Sequence, residues 1–249
     1  MNLTSIAGLI IVLVFAGAMG AVFWINRKDP YRDLRPMAAF SRLRRAIGMA
    51  VEDGSRVHVS LGSASLIASN SASALVGLTL LERVARLSST SDLPPVVTSG
   101  DAPLALLSQG ELRRSAAEAN LMDDYDPGLS RLTGVTPYSY AAGAIPVIND
   151  GQISTNIALG NFGPEAGLMA DAAEPTHAFY LAGSDSVTGQ AVLFAAAQDP
   201  LIGEELFAGG AYLQSGEMHA ASLHAQDLFR WGIAGLLILG AILKLLGVV

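Results

Sequence analysis

Residues 179–198 read FYLAGSDSVTGQAVLFAAAQ, and their order decides the fold. A short β-rich run meets Gly183-Ser184-Asp185, and an apolar stretch then continues to about Gln198. A brief apolar run closed by turn residues reads as a buried strand, and the longer stretch behind it reads as a helix. The same strand, turn and helix recur upstream. Residues 153–159 end at Gly160, with a helix expected over 164–173. Residues 95–98 end at Ser99-Gly100-Asp101, with a helix over about 103–121. Residues 57–61 end at Gly62-Ser63, with a helix over about 71–87. A further strand is expected over 144–148. Strands that alternate with helices form βαβ units. The expectation is an α/β fold: a mostly parallel, open, Rossmann-like sheet with helices on both faces. The domain is placed at 54–229, about 175 residues, long enough to bury a proper core.

Two segments lie outside this pattern. Residues 199–216 (DPLIGEELFAGGAYLQSG) are apolar but broken by Gly203, Gly209 and Gly210, and fit neither period. Residues 217–229 read as a helix that can run on without a break into the apolar segment behind it.

That segment, 230–249, and residues 1–26 are the expected membrane spans. Residues 3–25 carry no charge, and at about 1.5 Å per residue they cross a hydrocarbon core of roughly 30 Å. Positive charge follows this run instead of preceding it, which favours a retained anchor over a cleaved signal. In the second span Lys244 can snorkel to the far surface. The alternative for each run is a buried core helix. Arg27, Lys28, Arg32, Arg35 and Arg230 flank the domain side of the spans and Lys244 the other side. The positive-inside rule then puts the domain in the cytoplasm and both termini outside, in a cell membrane, with membrane lipids as partners. Ala16 and Gly20, and Gly17 and Ala21, are spaced for close helix contact, and Gly232, Gly235 and Gly240 repeat the theme.

Residues 27–53 form a basic juxtamembrane segment. Between Arg27 and Arg56 eight basic residues face four acids, whereas residues 61–229 hold five arginines against eighteen acids. Residues 37–51 read as an amphipathic helix, either lying at the membrane interface or packed as a surface helix of the domain. An acidic body of this kind is a poor nucleic-acid binder. With no cysteine in the chain, disulfides, thiolate catalysis and Cys-based metal sites are excluded.

The turns behind the strands are the candidate ligand site: Gly62, Ser63, Gly100, Asp101, Gly160, Gly163, Gly183, Ser184 and Asp185. Ligands of open α/β sheets bind at the strands' carboxyl ends, and helix N-termini there attract anions. The same residues also serve as ordinary turns and N-caps. No G-x-x-x-x-G-K-[ST], G-x-G-x-x-G or G-x-S-x-G fingerprint is present. His219 and His224 are five apart and share no helix face, and His58 and His177 fall in or beside strands. No catalytic set, metal site or cofactor is expected.

From about Arg56 to Leu246 the chain resembles a bacterial family of two-span membrane proteins catalogued only as a domain of unknown function. The residues that carry the likeness are VHVSLG (57–62), STSDLPPVVTSGD (89–101), YSYAAG (138–143), GSDSVTGQAVL (183–193) and AQDPLIGEELFAGGAYL (197–213). The resemblance implies the same layout and brings no activity with it. Three roles follow. The leading one is a structural or accessory protein that self-assembles or docks on a membrane complex, with Ala16, Gly17, Gly20, Ala21, Leu206, Phe207 and Tyr212 as interface candidates. The others are a binding module for a nucleotide or other anion, and an enzyme acting near the membrane.

Overall fold

The computed structural model describes residues 3–31, 34–67, 71–89 and 91–246. Arg32 of the basic segment and residues 247–249 of the second span lie outside the described residues. The chain divides into two compact units, Met1–Arg35 with Gly216–Val249, and Pro36–Ser215.

The first unit contains α1 (Leu3–Ile25) and α9 (Glu217–Leu245), both long and apolar enough to cross a membrane. At about 1.5 Å per residue they measure roughly 35 and 43 Å. The helix expected over 217–229 does continue unbroken into the second apolar segment. The two helices pack together, with the Phe15 and Phe229 rings 5.5 Å apart.

The second unit is a six-stranded sheet, parallel throughout, in the order β3-β2-β1-β4-β5-β6. The strands are β1 (Arg56–Gly62), β2 (Val96–Ser99), β3 (Ser130–Leu132), β4 (Ile153–Asn161), β5 (Phe179–Ser184) and β6 (Asp199–Leu201). Between them run α2 (Ala38–Glu52, ahead of β1), α3 (Ser71–Leu87), α4 (Ala102–Glu118), α5 (Pro137–Ile148), α6 (Ala166–Ala173) and α7 (Val187–Ala196), with the short α8 (Gly209–Tyr212) after β6. The sheet is covered on both faces, as expected. Alternate residues of a strand point to opposite sides, so Ile157, Leu159 and Leu181 join one core with Phe40, Leu43, Leu80 and Leu81. Ala158, Tyr180 and Ala182 join the other, with Tyr140, Met169 and Leu193.

Four details differ from the sequence reading or refine it. Residues 144–148 are not a strand but the end of α5, where Ala144 and Ile148 are buried. That helix starts at Thr136-Pro137, and the Ser139 hydroxyl accepts from the Thr136 N–H at 3.1 Å. Proline at the first helical position and a polar side chain reaching back are strong helix-start signals, and they override the β preference of Val147 and Ile148. The edge strands β3 and β6 are three residues each, too short for a period to show. Pro200 sits in β6, where a missing N–H is tolerated. Helix α2 packs as a helix of the domain, burying Phe40, Leu43 and Ile47. Arg42 in α2 pairs with the buried Asp199, its Nε donating at 2.8 Å, and Arg44 donates to the Tyr212 carbonyl.

Candidate functional site

The order 3-2-1-4-5-6 reverses direction between β1 and β4, and ligands of doubly wound sheets bind beyond the strands' carboxyl ends at such a point. The fold brings the sequence-predicted turns together there. Gly62 and Ser63 follow β1, Gly100 and Asp101 follow β2, Gly160 and Gly163 bracket the end of β4, and Gly183, Ser184 and Asp185 close β5.

Close backbone approach explains two of the glycines. Gly62 has φ +69°, and a Cβ there would lie 2.4 Å from the Asn161 carbonyl oxygen. A Cβ on Gly160 would lie 2.0 Å from the Leu61 carbonyl oxygen. No side chain fits at either position, so β1 and β4 run close together up to their ends.

The polar groups of these turns are engaged with one another. The Ser63 N–H donates to the Asn161 carbonyl at 3.0 Å, and the Gly100 N–H to the Gly62 carbonyl at 2.8 Å. The Asp185 N–H donates to the Gly160 carbonyl at 3.3 Å, and the Gly163 N–H to Glu165 Oε1 at 2.7 Å. Asp101 Oδ1 accepts from the Leu104 N–H at 3.1 Å, capping α4. Asp185 accepts from Asn161 Nδ2 instead of capping a helix. Ser184 Oγ bridges both backbone groups of Phe162, accepting at 3.0 Å and donating at 2.7 Å. An anion needs free N–H donors, and those of Ser63, Gly100, Gly163 and Asp185 already have internal acceptors.

Below the turns lies a buried polar chain whose members belong to no sequence motif. His58 of β1 contacts Asn156 Oδ1 through Nδ1 and Thr98 Oγ1 through Nε2, both at 2.9 Å. Thr98 Oγ1 is 3.0 Å from the Tyr140 hydroxyl, which also meets Ser60 Oγ and accepts from the Gly62 N–H at 3.2 Å. His58, Ser60, Thr98, Asn156 and Tyr140 are all buried. With Asn156 Oδ1 as acceptor, Nδ1 carries the proton and Thr98 donates to Nε2. Burial pushes the His58 imidazole down to about 4, against the Asn156 bond and with a small push from Arg131. Burial likewise raises the Tyr140 hydroxyl above its ordinary range. The chain therefore stays neutral and ties β1, β2, β4 and α5 to the Gly62 turn. No substrate reaches His58, so its role is architectural. The available signal was a set of polar residues inside otherwise apolar strand runs.

The interface candidates fall differently. Leu206 is fully buried in the core, Tyr212 is half-buried, and Phe207 is 41% exposed. Ala16, Gly17, Gly20 and Ala21 are exposed on α1, and a Cβ at Gly17 or Gly20 would meet nothing within 4 Å. Among the described residues no three His, Asp or Glu side chains are grouped to hold a metal ion.

No curated protein and no solved structure matches the chain. The whole of it, residues 1–249, fits the family model described as a domain of unknown function, DUF6754, and with two apolar helices around an α/β domain the chain belongs to that family.

Proposed function

We propose that the chain is a membrane-anchored structural or accessory protein whose α/β domain joins it to further copies of itself or to a larger membrane complex. The observation that carries this reading is the outer face of α7. Its sequence, VTGQAVLFAA, is apolar nearly all round, a composition suited to an interior helix. Yet it buries only Gly189 and Leu193, and leaves Val187 81% and Phe194 71% exposed. Val187, Ala191 and Phe194 follow helical spacing, so they form one uncovered stripe, and contiguous exposed apolar surface marks interaction sites. The small-residue face of α1 adds support, because Ala16, Gly17, Gly20 and Ala21 are exposed in the same chain.

The orientation we propose has the domain in the cytoplasm and both termini outside, from the charge bias around the spans. A reporter active only outside the cytoplasm should give signal when fused after Val249 and none when placed after Gly151. For assembly, light scattering in mild detergent should find an oligomer, and Val187→Asp with Phe194→Asp should leave a folded monomer. A wild-type monomer at every concentration, with no cross-linked neighbour in native membranes, would end the reading.

A second reading, a module for a nucleotide or other anion, draws on the convergence of the turns at the reversal between β1 and β4. The internal use of their donors, and the acids Asp101, Glu165 and Asp185 beside them, weigh against it. Saturable stabilisation by a nucleotide or by inorganic phosphate would restore it to first place.

A further inference from the structure

A cavity of about 420 Å³ opens at the other end of the sheet, where the chain approaches β2 and β3. This is within the roughly 300–1,000 Å³ of small-molecule sites. Its floor is apolar, with Ala85, Leu112 and Leu129 buried. Pro94 and Pro95 stiffen one wall. The half-buried Tyr125 forms another, its hydroxyl donating to the Gln109 carbonyl at 3.0 Å, which holds the ring in the lining.

Two exposed carboxylates, Asp92 and Asp124, line the same cavity. Of the arginines on the helical walls, Arg86 pairs with Glu82 and Glu118, and Arg114 with Glu82, Glu111 and Glu118, while Arg113, outside the lining, acts on the Tyr125 hydroxyl. No ion pair among the described residues joins Asp92 or Asp124. A cavity with an apolar floor, an aromatic wall and two carboxylates, with no Lys or Arg in its lining, has a definite complement. An anion would be repelled, a purely apolar molecule would leave the charges unused, and a hydrated metal ion would gain nothing from the floor. A cation beside an aromatic ring gains further attraction.

We propose that this cavity binds a small amphipathic organic cation, its apolar body against Leu112, Leu129 and Tyr125 and its ammonium group at Asp92 and Asp124. The site is independent of the docking face on α7 and of the carboxyl-edge turns. The test uses the full chain in nanodiscs of zwitterionic phospholipid, titrated with hexylammonium, hexanol and hexanoate while thermal unfolding of the α/β domain is followed. Hexylammonium should raise the melting temperature saturably, hexanol should act more weakly, and hexanoate should have no effect. Asp92→Asn with Asp124→Asn, two surface changes that leave the fold intact, should weaken hexylammonium about tenfold. Ala116→Phe, which fills the cavity from its wall, should abolish the shift. The proposal is overturned if hexylammonium gives no saturable shift, if hexanol or hexanoate matches it, or if the double variant binds as the wild type does.

Discussion

Phe40 and Tyr212 stack face to face, their ring centroids 5.2 Å apart and their planes 5° from parallel. Phe40 belongs to the first helix of the α/β unit and Tyr212 to the last, so the two chain ends of that unit lie side by side. Phe40 is 2% exposed, and Phe40→Ala should cost about 3–5 kcal/mol by cavity formation. Phe40→Leu, which keeps most of the volume and loses the ring contact, should cost about 1–2 kcal/mol. Denaturant unfolding of the two variants checks the ratio, and a negligible loss in Phe40→Leu beside a full loss in Phe40→Ala would show that the stack adds nothing beyond volume.

His58 makes stability depend on pH in a definite window. It titrates near 6.5 when unfolded and at about 4 in the fold, so folding favours the neutral ring. The contribution is complete above about pH 6.5 and is lost as pH falls toward 4. A gap of that size corresponds to on the order of 3 kcal/mol. His58→Gln should be less stable at pH 7 and should flatten the slope between pH 6.5 and 4. Unfolding free energies measured at several pH values would show parallel slopes if His58 were not responsible.

Adjacent residues in the glycine-broken segment should behave in opposite ways. Leu206 is wholly buried and Phe207 is 41% exposed. Leu206→Asp places a charge in the core and should cost about 4 kcal/mol or more, a large part of ordinary domain stability. Phe207→Asp should change stability by less than about 1 kcal/mol. Circular dichroism and limited proteolysis of the membrane-inserted variants would distinguish the two.

Asp101→Ala removes the α4 cap and should lower stability by about 0.5–2 kcal/mol, with Asp101→Asn retaining most of it. If an anion bound at these turns, removing this negative charge would also strengthen its binding. Thermal shifts with phosphate on both variants separate the two effects.

The membrane helices and the strand–turn–helix modules were legible because each carries a long or repeated signal. Residues 3–25 are apolar throughout, and the turns after β1, β2, β4 and β5 carry Gly or Ser at the same place in each module. What stayed hidden depended on non-local partners. Three-residue edge strands such as β6 exist only because β5 lies beside them. Residues 144–148 carry strand-like side chains, yet a helix start eight residues earlier decides their state. The engagement of the turn donors was also invisible, since whether Ser63 reaches Asn161 depends on the packing of β1 against β4. Leu206 and Phe207 look alike in sequence, and only the tertiary fold separates them.

The placement of β1 has a consequence for the birth of the protein. β1 sits between β2 and β4, pairing Val57 with Thr155 across a long intervening stretch. While the chain is being made, β1, β2 and β3 can gather into half a sheet, but the far edge of β1 stays bare until β4 has emerged. Translation at about 5–20 residues per second stretches that interval to roughly 5–20 s. Through it an edge reading VHVSL can pair with any strand that passes, including the same segment of a neighbouring nascent chain. The hazard therefore falls during synthesis, and it is greatest where ribosomes crowd along one message.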